Sequence, residues 1–320
     1  MQIFITGASG FIGGAIAKAL STTHNVREMS RSERSDEHLR ALGAIPVRSE
    51  LGAVTPEHLA GCEVVIHCAA FVKQWGTREQ FWRTNVDGTA QLLQAARQAG
   101  VARFIHVGTE AAFFHGQHMR EMDETYPYPT STPFLYPETK AAAEKLVLAA
   151  NAPGFETISL RPRFVWGPGD QTILPVVKKM VSAGMFMWID QGQVRTSTTH
   201  IANFVHAVTL ALSHWRGGQA YFITDDSTTT VREFLTALLK TQGLTPSNAS
   251  IPDPLARALA AILENVWNLL RLKTEPPLTR FAAAMASSEC TIRIDKARAE
   301  LHYAPVITRE QGLAELTMHP

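Results

Sequence analysis

With 320 residues, 45% of them hydrophobic and 18% charged, the chain has the material for one large domain plus a smaller one and is too apolar for a disordered protein. Its formal net charge is +1, without basic or acidic runs, which argues against nucleic acid or an anionic surface as partner. Cys62, Cys68 and Cys290 are an odd number with no Cys-x-x-Cys spacing, so no disulfide framework follows.

Met1 runs straight into a strand-like pattern with no basic segment ahead of an apolar one, and a reducing, cytoplasmic setting is the expectation. In chain order, an apolar strand at 3–6 leads into a helix over 11–20. Strands follow at 26–29, 45–47 and 63–68, then a helix over 79–98 and a strand at 103–107. A helix over 136–150 precedes a strand at 157–161, and a further strand at 220–224 precedes a helix that starts near Val231. Nearly continuous apolar strands alternating with helices predict an α/β fold, a doubly wound parallel sheet covered on both faces. After Pro162 the rhythm changes, and the last quarter reads as helical and irregular, broken at Pro276-Pro277. The expected division is a dinucleotide-binding domain over 1–162, with 200–225 returning to it, and a smaller, mostly helical substrate lobe from 163–199 and 226–320.

Gly7, Ser9, Gly10, Phe11, Ile12 and Gly13 belong to a Gly-x-x-Gly-x-x-Gly turn directly after the first strand, and they open the first helix. Glycine allows backbone to approach a pyrophosphate, and the helix N-terminus supplies free N–H groups and a positive dipole end. An NAD enzyme places an acidic residue at the end of the second strand to hold the ribose hydroxyls. Here Met29 is followed by Ser30 and Arg31. No carboxylate repels a 2′-phosphate there, and the Arg31 guanidinium can clamp one. NADP is therefore expected in preference to NAD. Cys68, Ala69 and Ala70 end the fourth strand with small side chains that let backbone run close to the cofactor.

Tyr136 and Lys140 stand four apart at the start of a helix and share one face. A phenol of ordinary pKa is a poor base at neutral pH, and an adjacent ammonium makes it usable for proton transfer. Upstream, at the end of the fifth strand, Thr109 offers a hydroxyl to a substrate carbonyl oxygen.

These motifs, with His67-Cys68-Ala69-Ala70, the Asn85 segment and the run from Leu160 through Pro162 to Asp170, occur in the order and spacing of the extended short-chain dehydrogenase/reductases. The chain resembles their 3β-hydroxysteroid dehydrogenase-like branch over essentially its whole length. The resemblance implies a Rossmann-type domain, a Thr109–Tyr136–Lys140 centre and hydride transfer at the nicotinamide. It adds Glu50 and Leu51 (at the adenine), Asn85, Pro162, and Tyr136 with Lys140, which holds the nicotinamide ribose, to the cofactor-binding positions, and it carries the expectation of a homodimer. The chain departs from the family by placing Gly108-Thr109 where Ser-Ser or Thr-Ser is usual. Sugar-nucleotide dehydratases of the superfamily follow the Thr with Asp and Glu; here Glu110 and Ala111 leave the base position empty, which argues against a dehydratase. Glu110 reads as a loop-anchoring carboxylate.

The segment 255–272 has a helical pattern with Arg257, Glu264 and Arg271 seven apart and a broad apolar face. Three charges in this segment make a poor membrane span. It fits a helix packed on the substrate lobe or a hydrophobic lid in peripheral contact with a membrane. Phe113, Phe114, Phe134, Met185, Phe186, Met187 and Trp188 are candidates for an apolar pocket, so a small hydrophobic ketone or alcohol is the expected substrate, and the family resemblance makes it 3-keto/3-hydroxy steroid-like or alkyl keto acid-like. His115 with His118, and His200 with His206, bring no third ligand at useful spacing, and no catalytic metal is expected. The rivals to an oxidoreductase are a nucleotide-sugar epimerase holding NAD tightly and a non-catalytic NADP sensor.

Overall fold

Apolar strands joined by helices rather than hairpin turns must pair in parallel, with their connections crossing the sheet faces. The computed structural model describes residues 1–214 and 216–318. In it, β1 (Gln2–Thr6), β2 (Asn25–Ser30), β3 (Ile45–Arg48), β4 (Val64–His67), β5 (Arg103–Val107), β6 (Glu156–Pro162) and β7 (Gln219–Ile223) form one sheet. Their order is β7-β6-β5-β4-β1-β2-β3 and every neighbouring pair is parallel, as the sequence pattern predicts. Pro46 sits on the edge strand β3, where its missing N–H deprives no further strand of a bond. The strand order reverses between β1 and β4, and the carboxyl ends there border a crevice, the usual ligand position of such sheets.

Side chains of β1 alternate between two cores. Ile3 and Ile5 join Ile16, Phe204 and Val208 on one face, while Phe4 joins Val65, Leu92 and Phe104 on the other. The first face is covered by α1 (Phe11–Leu20), which packs on the helix Ile201–Ser213; on the other side, Gly88–Gln98 packs on α2 (Leu135–Ala149).

The helix expected over 79–98 is interrupted. Arg78–Trp82 and Gly88–Gln98 flank a π-helical turn at Arg83–Asp87, a widening often found at functional sites. It turns Asn85 inward. The Asn85 Oδ1 accepts the Phe71 N–H at 2.6 Å, and its Nδ2 donates to the Phe71 carbonyl at 3.2 Å and to Thr139 Oγ1 at 3.0 Å.

A second sheet was not legible in the pattern. Thr228–Thr230, Arg195–Ser197, Cys290–Ile292 and Met119–Met122 pair in that order. Strands of three or four residues carry no periodicity, and each finds its partner far along the chain.

The helix α3 (Asp253–Leu269) corresponds to the predicted 255–272 segment, and much of its apolar face looks outward. Ala256, Ala260 and Glu264 are the buried residues, against the helix Arg280–Ser287, while Leu255, Leu259, Ile262, Val266 and Leu269 are exposed. Small alanines let the two helices approach closely. Glu264 accepts from the Arg280 backbone N–H at 2.7 Å and from its Nε at 2.5 Å, and Arg257 pairs with Asp253 and donates to Ser287. Arg257 and Glu264 of the charged stripe are thus satisfied within the protein, while Arg271 is exposed beyond the end of α3. Among the described residues no helix is long and apolar enough to cross a membrane.

Candidate active site

The turn after β1 depends on two glycines. Gly7 has φ +79°, and a Cβ there would lie 2.7 Å from the Ala69 N. A Cβ on Gly13 would lie 2.4 Å from the Gly7 carbonyl oxygen, so only glycine lets α1 seat on the turn. Gly10 caps α1 in extended conformation, with no side chain on the free N–H groups of the first turn. Those groups open on a cavity of about 970 Å³ lined by Gly7, Ser9, Gly10, Phe11, Ile12 and Gly13. The donor set and bare backbone fit a pyrophosphate.

The cavity continues past Arg31, Glu50 and Leu51, past Cys68, Ala69 and Ala70, and on to Pro162. Arg31 is exposed and makes no ion pair among the described residues. Two predicted cofactor residues do not line the cavity. Ser30 is buried and donates to the Ser32 carbonyl at 3.1 Å. Asn85 instead ties the chain after β4 to α2 through Phe71 and Thr139. Glu28, two residues before Ser30, is buried with neither carboxylate oxygen hydrogen-bonded, and burial pushes its carboxyl up to about 8. It is therefore uncharged at neutral pH and no source of repulsion for a nearby phosphate.

Thr109, Tyr136 and Lys140, from the end of β5 and the first turns of α2, all line the same cavity. Burial raises the Tyr136 phenol above its ordinary range; the Glu110 charge adds to this and a hydrogen bond with Thr109 opposes it. The phenol is held in its protonated form. Lys140 is buried, donating to the Val107 carbonyl at 2.8 Å and contacting His106 Nε2 at 3.3 Å. Burial lowers its ammonium to about 8, with the carboxylate of Glu144 opposing the drop.

His106 escaped the sequence reading because a lone histidine in an apolar strand looks like core. Its neighbour on β4, His67, stands in register with it, and the His67 ring is held between Thr6 Oγ1 at 2.7 Å and Thr89 Oγ1 at 2.9 Å. Burial first, then the charge of Lys140, keeps His106 far below its usual pKa and hence neutral, so its Nε2 can accept from the ammonium. Two buried histidines at adjacent strand ends were the available signal.

The unusual Gly108 has a steric reason. A Cβ there would lie 2.5 Å from Ser159 Oγ and 2.6 Å from Glu144 Oε2. Directly behind it, Arg161 donates to Glu144 at 2.8 to 3.0 Å, and Ser159 and Tyr128 donate to the same carboxylate. Serine at 108 has no room in this network.

Beyond the polar end, the walls are Ile173, Val177, Met180, Phe186, Trp188 and Leu235, with Phe281 and Met285 from the helix Arg280–Ser287. Trp188 turns its Nε1–H outward to the Ser247 carbonyl at 2.8 Å and leaves an apolar ring. Of the predicted pocket residues, Phe186, Met187 and Trp188 line the cavity. Phe113 and Phe114 do not: both are buried in the main core, and Phe134 stacks on Phe114. Met185 is 58% exposed.

The model of the 3-beta hydroxysteroid dehydrogenase/isomerase family matches residues 4–253. A 4-hydroxy-2-methyl-3-oxo-4-farnesyl-3,4-dihydroquinoline-1-oxide ketoreductase of Stigmatella aurantiaca is 41% identical, over 99% of this chain and 96% of that protein. A 2-alkyl-3-oxoalkanoate reductase of Stenotrophomonas maltophilia (strain K279a) is 33% identical, over 99% and 98%. The solved structure of MoeE5 in complex with UDP-glucuronic acid and NAD has a TM-score of 0.75 at 23% identity, covering 99% of this chain and 98% of that one. This last likeness is one of fold.

Proposed function

Because the chain belongs to the 3-beta hydroxysteroid dehydrogenase/isomerase family, and is thereby an NAD(P)-dependent oxidoreductase acting on hydroxyl and keto groups, we propose that it is an NADPH-dependent reductase of hydrophobic ketones. The observation that carries this reading is the convergence of Thr109, Tyr136 and Lys140 on a cavity whose far end is walled by aliphatic and aromatic side chains. The farnesyl-bearing ketone in the name of the Stigmatella relative supports the same substrate class.

The residues at 7–13 hold the pyrophosphate at the N-terminus of α1, Arg31 the 2′-phosphate, Glu50 and Leu51 the adenine side, and Cys68, Ala69, Ala70 and Pro162 the flanks. Bound NADPH supplies the hydride. Tyr136 gives up its phenolic proton to the ketone oxygen as negative charge develops there, and the Thr109 hydroxyl, which donates to Glu110 Oε2 in the free protein, turns from that carboxylate to the same oxygen when the ketone binds. Lys140, fixed by Val107 and His106, stabilises the phenolate that results.

Two results test this. Arg31→Ala should weaken NADPH binding by about tenfold, the effect of one charge-assisted phosphate contact, and leave NADH binding unchanged in a titration of cofactor fluorescence. Equal losses for both would assign Arg31 no part in choosing the cofactor. A panel of a 3-ketosteroid, a long-chain 3-oxo ester and a nucleotide sugar, followed by NADPH absorbance, should show turnover of the hydrophobic ketones. Turnover of the nucleotide sugar alone would overturn the substrate class.

The pH profile is a third expectation. Lys140 loses its proton near 8 in the folded chain, so kcat/KM for ketone reduction should hold below that pH and decline above it. A profile that stayed level to pH values well beyond the Lys140 value would mean the ammonium is not required.

A further inference from the structure

We propose that Glu110 makes this active site selective for uncharged ketones, by occupying Arg163, a buried guanidinium on the cavity wall that could otherwise receive a carboxylate carried next to the substrate's carbonyl. The inference rests on the ketone-reductase reading above and refines its substrate class.

Glu110 directly follows Thr109 and is 4% exposed, on the wall of the catalytic cavity. The Thr109 hydroxyl donates to its Oε2 at 2.9 Å. Facing it is Arg163, the first residue after β6, which is 2% exposed and lines the same cavity. Arg163 Nη1 donates to Glu110 Oε1 at 2.5 Å, and its Nε donates to Thr196 Oγ1 at 3.1 Å. A guanidinium is permanently charged, and its planar fork is the best protein receptor for a carboxylate. One buried beside the hydroxyl that binds the ketone is where a 3-oxo acid would place its acid group. In this chain Glu110 already holds it.

Among the described residues, the other cations that line the cavity are not buried guanidinium groups beside Thr109. Lys140 is bonded to the Val107 carbonyl and His106. Arg31 stands at the end of β2, on the cofactor side, and Arg83 is exposed on the helical turn after β4. A carboxylate delivered to this centre would thus lose its hydration and find the nearest buried guanidinium already neutralised by Glu110, between apolar walls. A neutral ketone meets none of these penalties. Glu110 is a specificity residue in this account, acting through Arg163, while Thr109 and Tyr136 do the chemistry.

The test compares a 2-alkyl-3-oxo acid with its methyl ester, using the full chain and NADPH. The wild-type protein should favour the ester in kcat/KM by about tenfold or more, the effect of one uncompensated charge contact. Glu110→Gln removes the charge but keeps an acceptor for Thr109, and it should cut that preference at least about tenfold, mainly through a lower KM for the acid. Glu110→Asp should retain the ester preference. A wild-type protein that reduces the acid as well as the ester, or a folded Gln variant with an unchanged ratio, overturns the proposal and leaves the reductase reading intact. If neither compound is reduced while NADPH still binds, that reading falls and this inference with it. The wild-type ratio decides the matter even where Glu110→Gln does not fold.

Discussion

Tyr136→Phe is expected to reduce ketone turnover by about 10²- to 10⁴-fold, the range that a positioned general acid contributes. The substitution removes one hydroxyl and leaves the ring, which packs near Phe281 with centroids 6.0 Å apart. Neither the cavity shape nor the turn at 7–13 depends on that hydroxyl, so NADPH affinity should be unchanged. Thr109 and Lys140 stay in place, and the residual rate would report what polarisation by Thr109 achieves alone. Measured kcat together with cofactor binding separates the two effects. A variant keeping more than about a tenth of wild-type turnover would remove Tyr136 from the proton-transfer role.

The largest expected effect on stability lies one strand behind the catalytic threonine. Arg161 and Glu144 are 3% and 1% exposed at their side chains and are bonded at 2.8 Å. The guanidinium also lies over the rings of Phe113 and Phe222, at 4.7 and 5.2 Å from their centroids. Glu144→Ala strands a buried positive charge and should cost about 3–5 kcal/mol, a large part of the roughly 5–15 kcal/mol that holds a typical domain folded. Urea denaturation would show it as a lower midpoint at unchanged slope. Replacing both partners, by Leu at 144 and Met at 161, should destabilise much less than Glu144→Ala, because no uncompensated charge remains. A double variant as unstable as the single one would assign the loss to packing instead.

The same pair sets a direction with pH. Burial alone would raise the Glu144 carboxyl, but Arg161, with bonds from Ser159 and Tyr128, more than offsets that and holds it below the usual carboxylate range. A carboxyl depressed in the folded state contributes stability that is present above its unfolded value and is lost as the pH falls through the folded one. Its contribution therefore persists at neutral pH and disappears only in acid.

Gly108 shows how the catalytic strand and this buried pair constrain each other. The family resemblance marked the glycine as a departure without explaining it. The explanation is three-dimensional: the space a side chain would take belongs to Ser159 and Glu144, which come from β6 and α2. Asn85 teaches a related lesson. Its place in a recognised segment suggested cofactor contact, yet the π-helical turn at Arg83–Asp87 aims it at Phe71 and Thr139. Helical periodicity cannot register one inserted residue in a turn.

What the sequence determined by itself is whatever depends on near neighbours along the chain. The apolar strands, the glycine turn that opens α1 and the four-residue spacing of Tyr136 and Lys140 are local patterns with local physics: backbone sterics, helix geometry and burial of continuous apolar runs. From these came the parallel sheet and the catalytic helix face. Tertiary structure alone decided what depends on partners brought together from distant positions. It paired Glu110 with Arg163 and Lys140 with His106. It assembled the second sheet from four short strands and turned the apolar face of α3 outward. Each of those outcomes follows from which groups compete for the same buried space and the same hydrogen bonds, and only the folded chain brings the competitors within reach of one another.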